Sequence, residues 1–383
     1  MNTPPSSHDP QQQAALLRLL AAGGRSGPRR RLLEAWPSPV AALAAGPASW
    51  RACGLDQQQM HALSPGPEDA RSLAWLARPG HHLIGWHDPD YPALLRTAPS
   101  PPLALFVIGN PALLWHPAVA VVGSRSPSAG GRESALAFSR ALAASGLAIA
   151  SGLATGVDAA AHQAALDVGG ITVAVLGCGI DQVYPRANRA LYGRIAATGV
   201  VVSEYPPGTP ARSGHFPSRN RIVAGLSLGT LVIEAAMRSG ALITARLAGD
   251  AGRDVFAVPG SIHNPKARGC HRLIRSGAAL VESADEVVRT LAPMAAHLGQ
   301  ALQARLDAPT TRESPTRPGT PAAGPSGDPD YQKLWDALGH DPTGMDLLAE
   351  RTGLTATSLS SMLPLMELEG LVVAEHGRYS RKS

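Results

Sequence analysis

A chain of 383 residues is long enough for two or three domains, and its 44% apolar but only 4% aromatic content requires a core of Ala, Val, Leu and Ile. The formal charge of +5 favours anionic partners, and it is carried almost wholly by arginine, since only Lys266, Lys333 and Lys382 are lysines. No apolar run approaches the roughly 18 residues of a membrane span, Met1–Gln13 lacks a signal-peptide apolar segment, and Cys53, Cys178 and Cys270 make neither a zinc spacing nor a disulfide framework. These features point to a reducing cytoplasm. The arginine bias also fits a GC-rich coding sequence, as the Ala, Gly and Pro contents do.

Residues 1–80 read as a small helical domain. Short helices are predicted over Ala14–Ala22, Gly27–Ala35, Ser38–Ala45, Asp56–Leu63 and Glu68–Ala77, punctuated by Gly, Pro and Ser. His81–Pro117, with its Pro99–Pro102 cluster, reads as an extended connector into the main domain. That domain alternates apolar strands with Ala-rich helical stretches. The strands are Val119–Val122, Leu147–Ala150, Ile171–Leu176, Val200–Val202, Thr230–Ile233 and Val255–Val258. Continuous apolar strands separated by helices predict a doubly wound α/β fold, a parallel sheet covered on both faces. Ligands in such sheets bind beyond the carboxyl ends of the strands. Residues 292–329 read as a Pro-rich linker, with six prolines in 308–329. Residues 330–383 read as a winged helix: helices over Tyr331–Leu338, Met345–Thr352 and Thr355–Glu369, then a hairpin of Leu371–Ala374 and His376–Tyr379.

The strand ends carry the chemistry. The first runs into Gly123-Ser124-Arg125, a glycine turn before a helix, which offers backbone amides and a guanidinium fork to an anion. The second closes in Ser151-Gly152-Leu153-Ala154-Thr155-Gly156. Asp158 and His162 follow at i, i+4, and read either as an acid–base pair or as a helix-start acid bonded to its neighbour. Gly177-Cys178-Gly179 closes the third strand but lacks the third glycine of a dinucleotide fingerprint, and no Walker loop, nucleophile elbow or His-Glu-x-x-His motif occurs.

Ala211–Arg221 is the most charged of these segments, with Arg212, Arg219, Arg221 and His215 but no acid. If it is extended, Arg219 and Arg221 face one way and Asn220 the other; if helical, they spread around the axis. Phe216 is placed either to stack on a base or to anchor the loop in the core. Glu234, at the end of the fifth strand, is the acid expected to pair with one of these arginines, Arg221 first. Residues 119–290 carry 17 basic against 11 acidic residues, whereas 330–383 carry 5 against 8. The terminal unit therefore lacks the basic face of a nonspecific DNA binder, although Arg378, Arg381 and Lys382 on its wing keep that role open.

The motifs together resemble the DNA-processing protein A family, DprA or Smf. They are Val119-Ala-Val-Val-Gly-Ser-Arg125, Ser151-Gly-Leu-Ala-Thr-Gly-Val-Asp158 with His162, Tyr184-Pro185 with Asn188, and Ser203-Glu-Tyr-Pro206. The series continues with Phe216-Pro-Ser-Arg-Asn-Arg-Ile-Val-Ala-Gly-Leu-Ser227, Ser239-Gly-Ala-Leu-Ile-Thr-Ala245, Phe256-Ala-Val-Pro-Gly260 and Leu273-Ile-Arg-Ser-Gly-Ala278. The resemblance covers residues 80–290 most strongly. It implies an extended Rossmann-like domain over 81–291 between a SAM-like N-terminal unit and the winged helix. It further implies a cytoplasmic homodimer that binds single-stranded DNA in natural transformation, shields it and loads a RecA-type recombinase, with no cofactor. The resemblance places Arg125, Arg212 and Phe216–Arg221 at the DNA, and with the strand-end residues the expected DNA-binding set is Gly123, Ser124, Arg125, Ser151, Gly152, Arg212, Phe216, Arg219, Asn220, Arg221 and Lys266. His271 departs from the family pattern, which usually has Asn after Gly-Cys.

A second reading is an enzyme, a nucleotide phosphoribohydrolase of the LOG type. Its Pro-Gly-Gly-x-Gly-Thr-x-x-Glu loop has a partial counterpart in Gly225–Glu234, which keeps Gly-Thr and Glu but lacks Pro-Gly-Gly. The missing glycines close off backbone approach to a phosphate.

Overall fold

A computed structural model describes residues 9–64, 69–307, 329–338, 343–355, 358–359, 362–363, 366, 372–375 and 378–381. The N-terminal helices are α1 (Pro10–Ala21), α2 (Ser26–Ala35), α3 (Pro39–Ala44), α4 (Gly46–Ala52), α5 (Gln57–Ala62) and α6 (Ala70–Leu76). Asp9, Ser38, Asp56 and Asp69 start four of them by accepting a bond from a first-turn amide. Helix α4 has no such cap and was not legible in the sequence.

The expected connector is sheet instead. β1 (His81–Gly85) and β2 (Ala104–Gly109) form an antiparallel pair, with α7 (Ala93–Arg96) between them. The α/β alternation then runs β3 (Ala118–Val122), α8 (Ala129–Ala144), β4 (Ala148–Ser151), α9 (Val157–Asp167), β5 (Thr172–Leu176), α10 (Arg189–Thr198) and β6 (Val200–Ser203). It continues through α11 (His215–Gly225), β7 (Gly229–Val232), α12 (Gly240–Asp250), β8 (Asp254–Ala257), α13 (Arg268–Arg275), β9 (Ala279–Leu280) and α14 (Ala284–Asp307). One sheet takes all nine strands, in the order β1-β2-β6-β5-β4-β3-β7-β8-β9. From β6 to β9 the pairing is parallel; β2 meets β6 antiparallel.

The chain steps from β3 through β4 and β5 to β6 on one side, then resumes at β7 on the other. The winding therefore reverses between β3 and β7, which opens a crevice at their carboxyl ends. Side chains alternate along each strand, so the sheet builds two cores. Ala120, Val122, Val175 and Val202 pack with Ile222 of α11 and Ala245 of α12. Val119, Val121, Ile149 and Leu231 face Phe138 and Leu142 of α8 and Ala161 of α9. A third apolar cluster joins Leu16, Leu19, Leu32 and Trp75 of the N-terminal helices to Phe106 and Leu176 of the sheet.

Residues 292–307, expected in the linker, continue α14 as helix; residues 308–328 lie outside the described ones. The terminal unit has α15 (Pro329–Ala337), β10 (Thr343–Gly344), α16 (Met345–Thr352), β11 (Val372–Glu375) and β12 (Arg378–Arg381). Its sheet order is β10-β12-β11, and Leu334, Leu348, Leu363 and Val372 are among its core. The expected third helix falls mostly outside the described residues, as does Lys382. Arg381 lies 4.5 Å over the Trp335 ring and donates to the Trp335 carbonyl, so this wing arginine holds the unit together.

Candidate nucleic-acid interface

Every parallel strand ends in the same direction, and the turns that follow β3, β4, β5 and β6 meet around one groove. Its volume is about 620 Å³, and Gly123, Arg125, Gly152, Tyr184, Phe216 and Asn220 are among its walls. Ser239, Gly240 and Thr244 at the start of α12 close the far side.

The Ala211–Arg221 segment resolves into a loop and a helix. Pro217 falls in the first turn of α11, where its missing N–H costs nothing. Arg219 and Arg221, two residues apart, therefore diverge by about 200° around the axis. Arg219 turns inward and is only 4% exposed. It donates to the carbonyl of Gly152 at 2.5 Å and to that of Val175. Arg221 turns away from the groove and pairs with Glu204, not with Glu234 as the sequence reading had it. Asn220 lies between, with Oδ1 3.2 Å from Arg219 Nε. Arg212 is exposed in the loop before α11, between the groove-lining Ala211 and Ser213.

The buried Arg219 charge is answered by Asp158, which is 8% exposed and sits in the first turn of α9. Its Oδ2 accepts from the amides of Gly152 at 3.1 Å and Ala154 at 3.3 Å. Burial raises the Asp158 pKa, against the pull of Arg219 and these amides; burial lowers that of Arg219, against the pull of Asp158. The turn between them is tight. Leu153 has φ 54°, the left-handed region, and Asn188 secures it by donating to the Leu153 and Ala154 carbonyls at 2.9 and 3.2 Å. A Cβ on Gly152 would overlap the Arg219 guanidinium. Asp158 and His162 do not bond each other, because Asp158 turns back to these amides. His162 lies 2.6 Å from Thr172 Oγ1, and its pKa is pushed down to about 3 by burial and then by Arg219.

Arg125 is the exposed cation of the groove, and no carboxylate among the described residues forms an ion pair with it. Its guanidinium carbon stands 5.8 Å from the centre of the half-buried Phe216 ring. That ring rests on Gly177, where a Cβ would come within 2.8 Å. Tyr184, half exposed, lies 5.3 Å from Phe216. Tyr184 lies outside the expected DNA-binding set, although the Tyr184-Pro185 motif is part of the family resemblance.

Three expected site residues shape the groove from behind. The Ser124 amide donates to the Glu234 carbonyl at 2.7 Å, and its carbonyl accepts from Val157 at 3.1 Å. Ser151 is fully buried and donates to the Val121 carbonyl at 2.7 Å. Lys266 donates to the Ser126 carbonyl, tying down the loop that carries Arg125. Gly156 allows the same loop to pass, since a Cβ there would stand 2.6 Å from the Arg125 carbonyl carbon. His271, the departure from the family pattern, lies 2.9 Å from the Gly260 carbonyl. Among the described residues no cluster of His, Cys, Asp and Glu fits a metal ion, and no helix is long and apolar enough to cross a membrane.

A family model described as DNA recombination-mediator protein A matches residues 82–292, which include every element of the groove. The chain belongs to this family. The DprA winged helix domain matches residues 318–378. Protein Smf of Escherichia coli strain K12 is 39% identical over 328 residues, 85% of this chain and 84% of that protein. DNA processing protein DprA of Streptococcus pneumoniae strain R6 is 50% identical over 201 residues, 52% of this chain and 71% of that protein. The crystal structure of the Streptococcus pneumoniae DprA aligns with a TM-score of 0.64 and 40% identity, covering 71% of this chain and 95% of that one. The mixed sheet and terminal winged helix are thus the family's architecture.

Proposed function

We propose that this DprA-family protein binds single-stranded DNA in the groove, as a cytoplasmic homodimer that shields incoming strands in natural transformation. It passes them to a RecA-type recombinase and needs no cofactor. One observation carries the reading: an unpaired, exposed Arg125 stands over the aromatic ring of Phe216. A strand backbone supplies the phosphate for the guanidinium, and an unstacked base supplies a face for Phe216 or Tyr184. Stacking and phosphate contact are indifferent to sequence, as a mediator that accepts any incoming strand requires. The groove's carboxylate, Asp158, is occupied by two backbone amides and opposes no phosphate. Arg212 and Asn220 flank the path, whereas Arg219 and Arg221 serve the helix that bears it.

The test is fluorescence anisotropy of labelled oligo-dT and a matched duplex, titrated with salt. Arg125→Ala is expected to weaken oligo-dT binding and to flatten the log-affinity against log-salt slope by about one contact. Unchanged affinity and slope would remove Arg125 from the phosphate path. A parallel assay of AMP hydrolysis separates the enzyme reading, which requires ribose phosphate release.

A further inference from the structure

At the reversal point of a doubly wound sheet, the first helix N-terminus ordinarily receives a ligand's phosphate. Here that helix is α8, and an anion already stands there. The Glu234 carboxylate, 4% exposed at the end of β7, accepts from the Ser128 amide at 2.8 Å and the Ser128 hydroxyl at 2.8 Å. Asn264 Nδ2 donates to it at 2.9 Å from the loop after β8. It sits so close that a Cβ on Gly131, in the first turn of α8, would come within 2.7 Å of Oε2. The Glu234 backbone is engaged as well, its carbonyl accepting from Ser124 at 2.7 Å.

We propose that Glu234 is a positioning residue whose carboxylate fills the anion cradle at the α8 N-terminus and thereby holds the 124–128 loop with Arg125 aimed into the groove. The inference rests on the single-stranded DNA reading above. Glu234 grips the loop at both ends, Ser124 through its backbone and Ser128 through its carboxylate. Lys266, two residues beyond Asn264, fixes the middle at Ser126. The negative charge is stabilised by the α8 dipole. Filling the cradle from within leaves the loop formed before any ligand arrives, and directs a strand's phosphate to Arg125 instead of the α8 N-terminus. A cavity of about 250 Å³ beside the carboxylate, walled by Ser128, Gly130, Gly131 and Asn264, is large enough for a small anion once the side chain is removed.

The experiment is a double-mutant cycle on the full chain with oligo-dT anisotropy across a salt series. Glu234→Ala is expected to lose about tenfold in affinity, to show a slope shallower by about one, and to lose little more when combined with Arg125→Ala. Sodium formate, compared with sodium chloride at equal ionic strength, is expected to restore at least threefold of the affinity of Glu234→Ala and none in the wild type. A full-strength Glu234→Ala beside a weakened Arg125→Ala overturns this inference alone, as does full additivity in the double variant. An unaltered Arg125→Ala overturns the groove reading with it. Asn264→Ala, which removes one donor and keeps the charge, covers the case in which Glu234→Ala does not fold. It is expected to lose about threefold, and unchanged binding there overturns the inference.

Discussion

Replacing Arg219 by alanine separates a structural arginine from a phosphate ligand. The side chain is buried and donates to two main-chain carbonyls, those of Gly152 and Val175. Truncation strands both acceptors and leaves the Asp158 carboxylate without its buried counter-charge. Removing one partner from a buried ionic arrangement costs about 3–5 kcal/mol. The lost carbonyl bonds, about 1–3 kcal/mol each, overlap with that figure because they belong to the same network. A net loss of about 4 kcal/mol is a large share of the 5–15 kcal/mol typical of a domain. At roughly 1.5–2 °C per kcal/mol for a compact unit of about 300 residues, the melting temperature should fall by about 6 °C. Circular dichroism melts measure this directly. Oligo-dT binding, measured well below the transition, should keep its wild-type salt slope. Adding Asp158→Asn should recover part of the loss by removing the stranded charge. A variant that melts within about 2 °C of the wild type, with a salt slope shallower by about one, would refute the reasoning and make Arg219 a phosphate contact.

Three further outcomes are expected. Phe216→Ala should weaken oligo-dT by about 1–3 kcal/mol while leaving the salt slope within half a unit, because stacking releases no counterions; a slope change of one or more would place the effect on Arg125. Arg221→Ala breaks the part-buried pair with Glu204 and should lower the melting temperature without altering the salt slope; a shallower slope would return Arg221 to the groove. Acid should destabilise the chain through His162 and His87, whose pKa values burial lowers to about 3 and about 4. Each is neutral when folded and gains a proton on unfolding below about pH 6.5, so stability falls as pH drops from there towards 3. His162→Asn should flatten that decline in urea melts, and an unaltered pH profile would exclude His162 as a contributor.

The parallel strands β3 to β8 were legible because each is an apolar run ending in a turn residue, whereas the two-residue β9 carries no such run. β1 and β2 were not: the prolines and Asp90-Tyr91-Pro92 between them read as connector, and their pairing is long-range. The Gly123-Ser124-Arg125 turn was placed by sequence alone at a strand end, where it lies. The arginines of α11 could not be sorted in the same way. Which of Arg219 and Arg221 faces the core depends on the helix phase and on two carbonyls, Gly152 and Val175, 67 and 44 residues away. Glu234 looked like a partner for arginine because charge was the only signal; its real partners, Ser128 and Asn264, are neutral donors.

The family signature begins at residue 82, yet the apolar cluster holding Leu16, Leu19, Leu32 and Trp75 also holds Phe106, Leu176 and Val201. The helices before that line and the sheet after it lie in one compact unit reaching Pro309. A boundary visible in sequence pattern is thus not a boundary of packing. A fragment starting at β1 would lay bare the sheet face that these leucines cover, trading a folded core for an aggregation surface. The unit that packs together is larger than the unit that the sequence motifs delimit.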